Sequence, residues 1–365
     1  MIIKKTLLSP KRLKPIFQDI SKLQFGNTFT DYMFTMEYDE EHGWHNGEIK
    51  PYQPLVLDPA TSVFHYGQAV FEGQKAYKSQ DDRVLLFRPW ENARRFNNSL
   101  KRMCMPEIPE KIFIEVQSEL VCLENRWISK EKGASLYIRA AVIASQVTVK
   151  LKPSDNYIFF IILSPSPSYF QELFRSINLW VSDFYIRAAV GGTGEAKTSG
   201  NYAAGMLALD IAKKNNCDQV LWLDSREKKY IEEVGAMNVF FVIKGKLVTP
   251  KLNGSILAGV TRNSVLQLAN DLGVEVEERS ITIAEVVSGI QSGAVTEIFC
   301  SGTAVSIVPV KALRYEECDY VIQGEASSSL AKKLYDILLN IQHGIISDPY
   351  GWMLEISTDH TWLSP

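Results

Sequence analysis

Gly191-Gly192-Thr193-Gly194-Glu195-Ala196-Lys197-Thr198-Ser199-Gly200-Asn201-Tyr202 is the stretch on which the reading of this chain turns. Two chemistries compete for it. One is a nucleotide-binding P-loop, G-x-x-x-x-G-K-[ST], for which Gly191, Lys197 and Thr198 fall in register. Val220-Leu221-Trp222-Leu223-Asp224 even imitates the apolar strand that ends in a magnesium-binding Asp. Ala196, however, stands where the second glycine belongs, and a Cβ there obstructs a backbone that must wrap phosphates closely. The other reading is a Schiff-base lysine. A Lys that condenses with an aldehyde must lose its proton, which requires desolvation or a nearby cation. The glycines let the loop bring Lys197 close to a bound ring, and Tyr202 follows where it can donate to a ring hydroxyl. Taken alone, a lysine in such a loop is most often a solvated side chain, so the surrounding segments decide.

Working outward, Glu232-Glu233-Val234-Gly235-Ala236-Met237-Asn238 opens a strand and offers an acid able to keep a pyridine nitrogen protonated. Leu257-Ala258-Gly259-Val260-Thr261 runs into a helix expected over 261–272, so Val260 and Thr261 can present backbone N–H groups to a phosphate. Arg95, on a helix expected over 90–103, can add a cation. Ser301-Gly302-Thr303-Ala304 reads as a tight turn after a strand, with N–H groups for a phosphate on one side and a carboxylate on the other. These are the parts that a pyridoxal 5′-phosphate (PLP) site requires.

The rest of the chain sets the frame. Its 365 residues suggest two domains. Apolar and β-branched runs predict strands over 29–38, 135–149, 156–163, 177–190, 219–224, 237–243 and 296–300. Trp90, Ala93, Phe96, Leu100 and Met103 recur at helical spacing, and further helices are expected over 201–214, 282–292 and 328–341. The order is mixed, which predicts two α+β domains. Ser164-Pro165-Ser166-Pro167-Ser168 breaks the pattern, because proline cannot join a central ladder. The expected division is therefore 1–164, a linker over 165–176, and 177–365.

A formal net charge of −3 supplies no basic field for nucleic acid. The odd count of five cysteines, with no C-x-x-C pair, fits a reducing compartment. His42 and His45 are spaced H-x-x-H, but the sequence reading finds no acidic or thiol cluster to complete a site, so two solvated imidazoles and no metal are expected. No run approaches the roughly 20 apolar residues of a membrane helix. The N-terminus carries Lys4, Lys5, Lys11, Arg12 and Lys14, yet lacks the Arg- and Ser-rich character of a transit peptide, so a cytoplasmic protein is expected.

Together the segments resemble the branched-chain amino acid aminotransferases, of the fold-type IV class of PLP enzymes. The resemblance runs from about Phe25 to about Trp352. It is carried by Phe25 to Asp31, Phe64 to Gly73, Leu86 to Trp90, Leu136 to Arg139, Gly191 to Tyr202, Glu233 to Asn238, Leu257 to Arg262 and Ser301 to Ala304. It implies an α+β architecture with a smaller N-terminal α/β domain and a larger, PLP-binding C-terminal domain built on a pseudo-barrel sheet. It implies Lys197 as the catalytic Schiff-base residue and Glu233, rather than Glu232, as the partner of the pyridine nitrogen. Tyr202 would bond the ring hydroxyl; Arg95, Val260, Thr261 and Thr303 would hold the phosphate. Thr303 and Ala304 would take the substrate α-carboxylate, and Phe25, Tyr66, Phe71, Tyr137 and Arg139 would line the side-chain pocket.

The same resemblance implies exchange of an amino group between leucine, isoleucine or valine and 2-oxoglutarate. It also implies a homodimer in which a loop near 145–152 completes the partner's pocket. Ala140 stands where a proline is common in the family, and Val305-Ser306-Ile307-Val308 lacks a C-x-x-C pair, so no thiol control is expected there. D-amino acid aminotransferases and aminodeoxychorismate lyases share the Lys and Glu chemistry but not the segments around Phe25 and Tyr137-Ile138-Arg139.

Overall fold

The computed structural model describes residues 3–17, 19–167, 174–324 and 329–356. Two compact units divide the chain: Met1–Gln171 with Asn340–Pro365, and Glu172–Leu339. The first carries strands β1 (Lys4–Lys5), β2 (Tyr32–Asp39), β3 (Gly43–Pro51), β4 (Ala69–Lys78), β5 (Val84–Phe87), β6 (Ser135–Ala144) and β7 (Tyr157–Ser166). Its helices are α1 (Ser62–Tyr66), α2 (Pro89–Arg102) and α3 (Glu110–Leu123). The strands form one sheet in the order β1-β3-β2-β7-β6-β4-β5, closed at the β5 edge by the last strand among the described residues, Met353–Ile356.

Alternation along β4 sorts its side chains between two faces. Val70 and Ala76 enter the core with α2 and α3, and Gln74 bonds Gln117 of α3 at 2.8 Å. Phe71 and Gly73 face the other way. Helix α2 starts on Pro89, at a position where a missing N–H costs nothing, and buries Ala93, Phe96 and Leu100. Helix α3 escapes the sequence reading, although Phe113, Val116 and Leu120 lie at helical spacing and are buried. Phe96, Phe113 and Phe159 meet with ring centroids 5.2–6.1 Å apart, each burial contributing about 1.5–3 kcal/mol.

Glu124 is a buried acid of this unit. Its Oε1 accepts the Tyr32 N–H at 2.5 Å, while Oε2 has no hydrogen-bond partner among the described residues. Burial pushes its pKa up to about 7. The folded chain then binds a proton that the unfolded chain releases near 4.5, so stability falls as pH rises from about 4.5 to about 7. Glu124→Gln removes up to about 3 kcal/mol of that dependence. Thermal melts should show the variant gaining on the parent between pH 5 and pH 8; parallel curves would contradict the assignment.

The second unit carries β8 (Ile177–Ser182), β9 (Gln219–Leu223), β10 (Ile231–Val234), β11 (Asn238–Ile243), β12 (Lys246–Pro250), β13 (Val276–Arg279), β14 (Val295–Gly302), β15 (Ser306–Tyr315) and β16 (Cys318–Val321). Its helices are α4 (Ser199–Ala203), α5 (Met206–Lys214), α6 (Val260–Asp271), α7 (Ile283–Ser292) and most of α8 (Leu330–Gln342). The sheet order is β10-β9-β8-β15-β14-β11-β12-β13, with β16 on β15. β10 and β11 are five places apart in this order, a gap of ~24 Å in a flat sheet. The link from Val234 to Asn238 spans at most ~14 Å. The sheet must therefore curl, which is the half-barrel the fold class implies.

Four expectations change. Pro165 lies within the end of β7 instead of leaving the sheet, pairing with Leu136 just before Ser166 closes the strand against Ser135. The β2 ladder has already stopped at Met33 and Ile162, so β7 is paired on one side there and a residue without an N–H is tolerated. Residues 168–173 of the expected linker lie outside the described residues. The last stretch of the expected 177–365 domain belongs to the first unit, which is the larger of the two. Met353–Ile356 pairs with β5, and the Trp352 carbonyl accepts the Arg88 N–H at 2.7 Å. The single helix expected over 201–214 breaks at Ala204-Gly205 into α4 and α5, where a Cβ on Gly205 would lie 3.3 Å from the Trp222 ring. The strand expected over 177–190 ends at Ser182, whose hydroxyl bonds the Tyr185 carbonyl and turns the chain.

Candidate active site

The lysine loop is held by its own side chains. Asn201 donates to the carbonyls of Thr193 and Ala196 at 2.7 and 2.8 Å and accepts the Thr193 hydroxyl at 2.6 Å. Gly194 is required by contact, since a Cβ there would come within 2.2 Å of the Ser255 carbonyl. Lys197 is half-buried, and its Nζ lies 3.3 Å from the Tyr202 hydroxyl. The P-loop reading loses its second half as well. Asp224 accepts four backbone N–H groups, from Arg226, Glu227, Lys229 and Tyr230, and so shapes the turn between β9 and β10.

Glu233 lies on β10, 2% exposed. Burial pushes its pKa up to about 7, against the pull of the Arg187 guanidinium. Arg187 Nε stands 2.7 Å from Glu233 Oε2. This contact is one of charge without hydrogen-bond direction, because Oε2 has no hydrogen-bond donor among the described residues. The same guanidinium donates to the carbonyls of Ser255 at 2.9 Å and Gly194 at 3.2 Å. Arg187 thus ties the acid, the lysine loop and the 253–257 segment together. The sequence reading missed it, having placed it inside a strand. Glu232 instead accepts the Ser255 hydroxyl.

Asn238 extends the network, donating to Glu233 Oε1 at 3.2 Å and to the Leu257 carbonyl at 2.9 Å. A Cβ on Gly259 would strike the Asn238 side-chain oxygen at 2.1 Å, so glycine lets the chain approach here. Gly259 caps α6, placing Val260 and Thr261 in its first turn, where N–H groups lack helical partners. Asn238 is also the register partner of Ser301, which sets the turn containing Thr303 and Ala304 beside the start of β11. Lys197, Tyr202, Glu233, Val260, Thr261, Thr303 and Ala304 therefore all belong to the second unit.

The first unit gathers most of the expected pocket residues. Phe25 meets Tyr137 edge-on at 4.9 Å. Arg139 donates to the Tyr137 hydroxyl at 2.9 Å and lies 4.6 Å from the centre of the Phe71 ring. Gly73, opposite Arg139 in register, leaves room for the Tyr137 hydroxyl, which a Cβ would meet at 2.2 Å. Tyr66 donates to the Val149 carbonyl within the 145–152 loop. Arg95 forms a two-pronged ion pair with the fully buried Glu72, at 2.9 and 2.5 Å. The sequence reading quoted Glu72 without a role.

A lysine beside a phenol and a buried carboxylate whose oxygen awaits a donor define a site of the PLP type. Residues 69–313 match the family model described as Amino-transferase class IV. Branched-chain-amino-acid transaminase 1 of Bacillus subtilis is 49% identical over 93% of this chain and 95% of its own length. Among solved structures, the branched-chain amino acid aminotransferase of Escherichia coli is similar at a TM-score of 0.75 and 25% identity, covering 90% of this chain and 99% of that one. The T.th. branched-chain amino acid aminotransferase, complexed with N-(5′-phosphopyridoxyl)-L-glutamate, is similar at 0.72 and 25%, covering 89% and 98%. The chain belongs to the branched-chain-amino-acid aminotransferase family of fold-type IV, PLP-dependent transaminases. Among the described residues, no helix is long and apolar enough to cross a membrane.

Proposed function

We propose that this enzyme moves the amino group of L-leucine, L-isoleucine or L-valine to 2-oxoglutarate, leaving the branched 2-oxo acid and L-glutamate. We place it in the cytoplasm as a homodimer, each protomer lending its 145–152 loop to the other's pocket. The observation that carries the reading is Glu233 Oε2, buried beside the Arg187 guanidinium and without a hydrogen-bond donor among the described residues; the protonated pyridine nitrogen of bound PLP would supply the missing N–H. Bound PLP supplies an electron sink for negative charge at the substrate Cα.

The chain's own residues do the rest. Lys197 Nζ accepts the Cα proton and returns it on the cofactor side, and Tyr202 donates to the ring hydroxyl. The amides of Val260 and Thr261, the Thr303 side chain and Arg95 hold the phosphate. Backbone N–H groups of Thr303 and Ala304 take the α-carboxylate. Phe25, Phe71, Tyr66 and Tyr137 receive the aliphatic chain, and Arg139 with the Tyr137 hydroxyl receives the γ-carboxylate, which is costly to bury unpaired. The glutamate adduct held by the T.th. relative supports glutamate as the second amino donor.

Reduction of the purified enzyme with borohydride, followed by peptide mapping, should place the cofactor on Lys197; a different lysine would overturn the assignment. A panel of L-leucine, L-isoleucine, L-valine and D-alanine should give turnover with the first three only. Arg139→Ala should slow the glutamate half-reaction by about 10²-fold and the leucine half-reaction far less. Stopped-flow measurement of the two half-reactions checks this, and equal losses would remove the division of labour.

A further inference from the structure

The tip of the β2–β3 hairpin gathers ligand atoms that the transaminase reading does not use. Tyr38 and Trp44 meet at 5.2 Å and pack against the first unit's core. Alternation along each strand then turns Glu37, Asp39 and His45 to the opposite, solvent-facing side. Glu37 and His45 are register partners, as are Asp39 and Gly43, and His42 sits in the turn between them. The sequence reading found no acid to complete the H-x-x-H pair. The hairpin brings one, because one ligand atom from each of Asp39, His42 and His45 lies within 4.8 Å of the others.

Each group is oriented. Asp39 Oδ1 accepts the His42 backbone N–H at 2.7 Å and stands 2.9 Å from His42 Nδ1. His45 Nδ1 lies 2.9 Å from the Gly43 carbonyl. A carbonyl only accepts, so Nδ1 carries the hydrogen and the neutral ring's lone pair is on Nε2. That is the outer hydrogen bond by which proteins usually set a ligating imidazole. Nε2 faces Asp39 Oδ2 at 3.5 Å and Glu37 Oε2 at 3.9 Å. Three acceptors turned toward one point offer a cation a place between them. Ligands at the usual zinc distances of about 2.0–2.1 Å stand about 3.3 Å from one another around a tetrahedron. At Asp39 Oδ2 the gaps are 3.2 Å to His42 Nδ1 and 3.5 Å to His45 Nε2, on either side of that value.

We propose that Asp39, His42 and His45 form a surface site for zinc or a neighbouring divalent transition ion, with the fourth position left to water or Glu37. Two imidazoles and a carboxylate suit such ions better than magnesium or calcium, which favour all-oxygen ligation. A bound ion would staple the two strands at the open end of the hairpin.

The test is isothermal titration of zinc chloride into the chelator-treated, dialysed holoenzyme, with its cysteines blocked. The parent should take up one more zinc per chain than His42→Gln/His45→Gln, and Asp39→Asn should weaken that uptake. Neither histidine is assigned to substrate or cofactor, so wild-type turnover in the double variant certifies its fold. Equal uptake by parent and double variant would overturn the proposal.

Discussion

Lys197→Ala is expected to lower kcat by at least ~10⁴-fold, because one group supplies both the covalent anchor and the proton transfer. The near-visible absorption of the cofactor should disappear with it. Stability should not follow. Lys197 is a half-buried loop side chain, and Asn201, not Lys197, holds the carbonyls of Thr193 and Ala196. Melting of the cofactor-free forms is the right comparison, since a bound ligand raises Tm by mass action. Variant and parent should then agree to within about 0.5 kcal/mol. An active Lys197→Ala enzyme would end the proposal.

Arg187→Met should damage fold and function together, and a second substitution separates the two. Arg187 is 9% exposed and Glu233 2%. Removing one partner of a buried ion pair leaves the other charge uncompensated, at a cost of about 3–5 kcal/mol. Glu233, already pushed up to about 7 by burial, then keeps its proton and has no charge to offer a cationic ring. Turnover should fall by about 10²-fold or more. Glu233→Gln alone should lose the activity as well and, because it strands the buried Arg187 charge, should also cost stability. In the Arg187→Met/Glu233→Gln double variant no carboxylate is stranded, so Tm should recover while kcat stays low. Two losses that simply add, in melts of the cofactor-free forms, would show that the residues do not act as a pair.

Much of this site lies open in the sequence, for a local reason. A glycine-rich loop before a short helix, a Glu at a strand end and a helix start at Val260 are each specified within a dozen residues. Periodicity likewise marks α2 and α6, whose buried faces repeat along one element. α3 carries the same signal in Phe113, Val116 and Leu120 and was within reach. Arg187 was not. Nothing in the order Tyr185-Ile186-Arg187-Ala188 separates a strand end from a side chain that reaches Gly194, Ser255 and Glu233. Glu72 and Asp39 were missed for the same reason: their partners stand on a helix or in a turn whose position the chain's local pattern does not state.

What this sequence determined alone is the chemistry: which lysine, which acid and which turns can serve a PLP site, because residue type and short spacing carry that information. What only the tertiary structure decided is pairing. The curl of the second sheet, the return of Met353–Ile356 to β5, the pairing of Arg187 with Glu233, and the meeting of Asp39 with His45 all join groups whose side-chain directions are set by packing. A charge buried at Glu233 is tolerable only where a counter-charge arrives, and the fold, not the motif, delivers it.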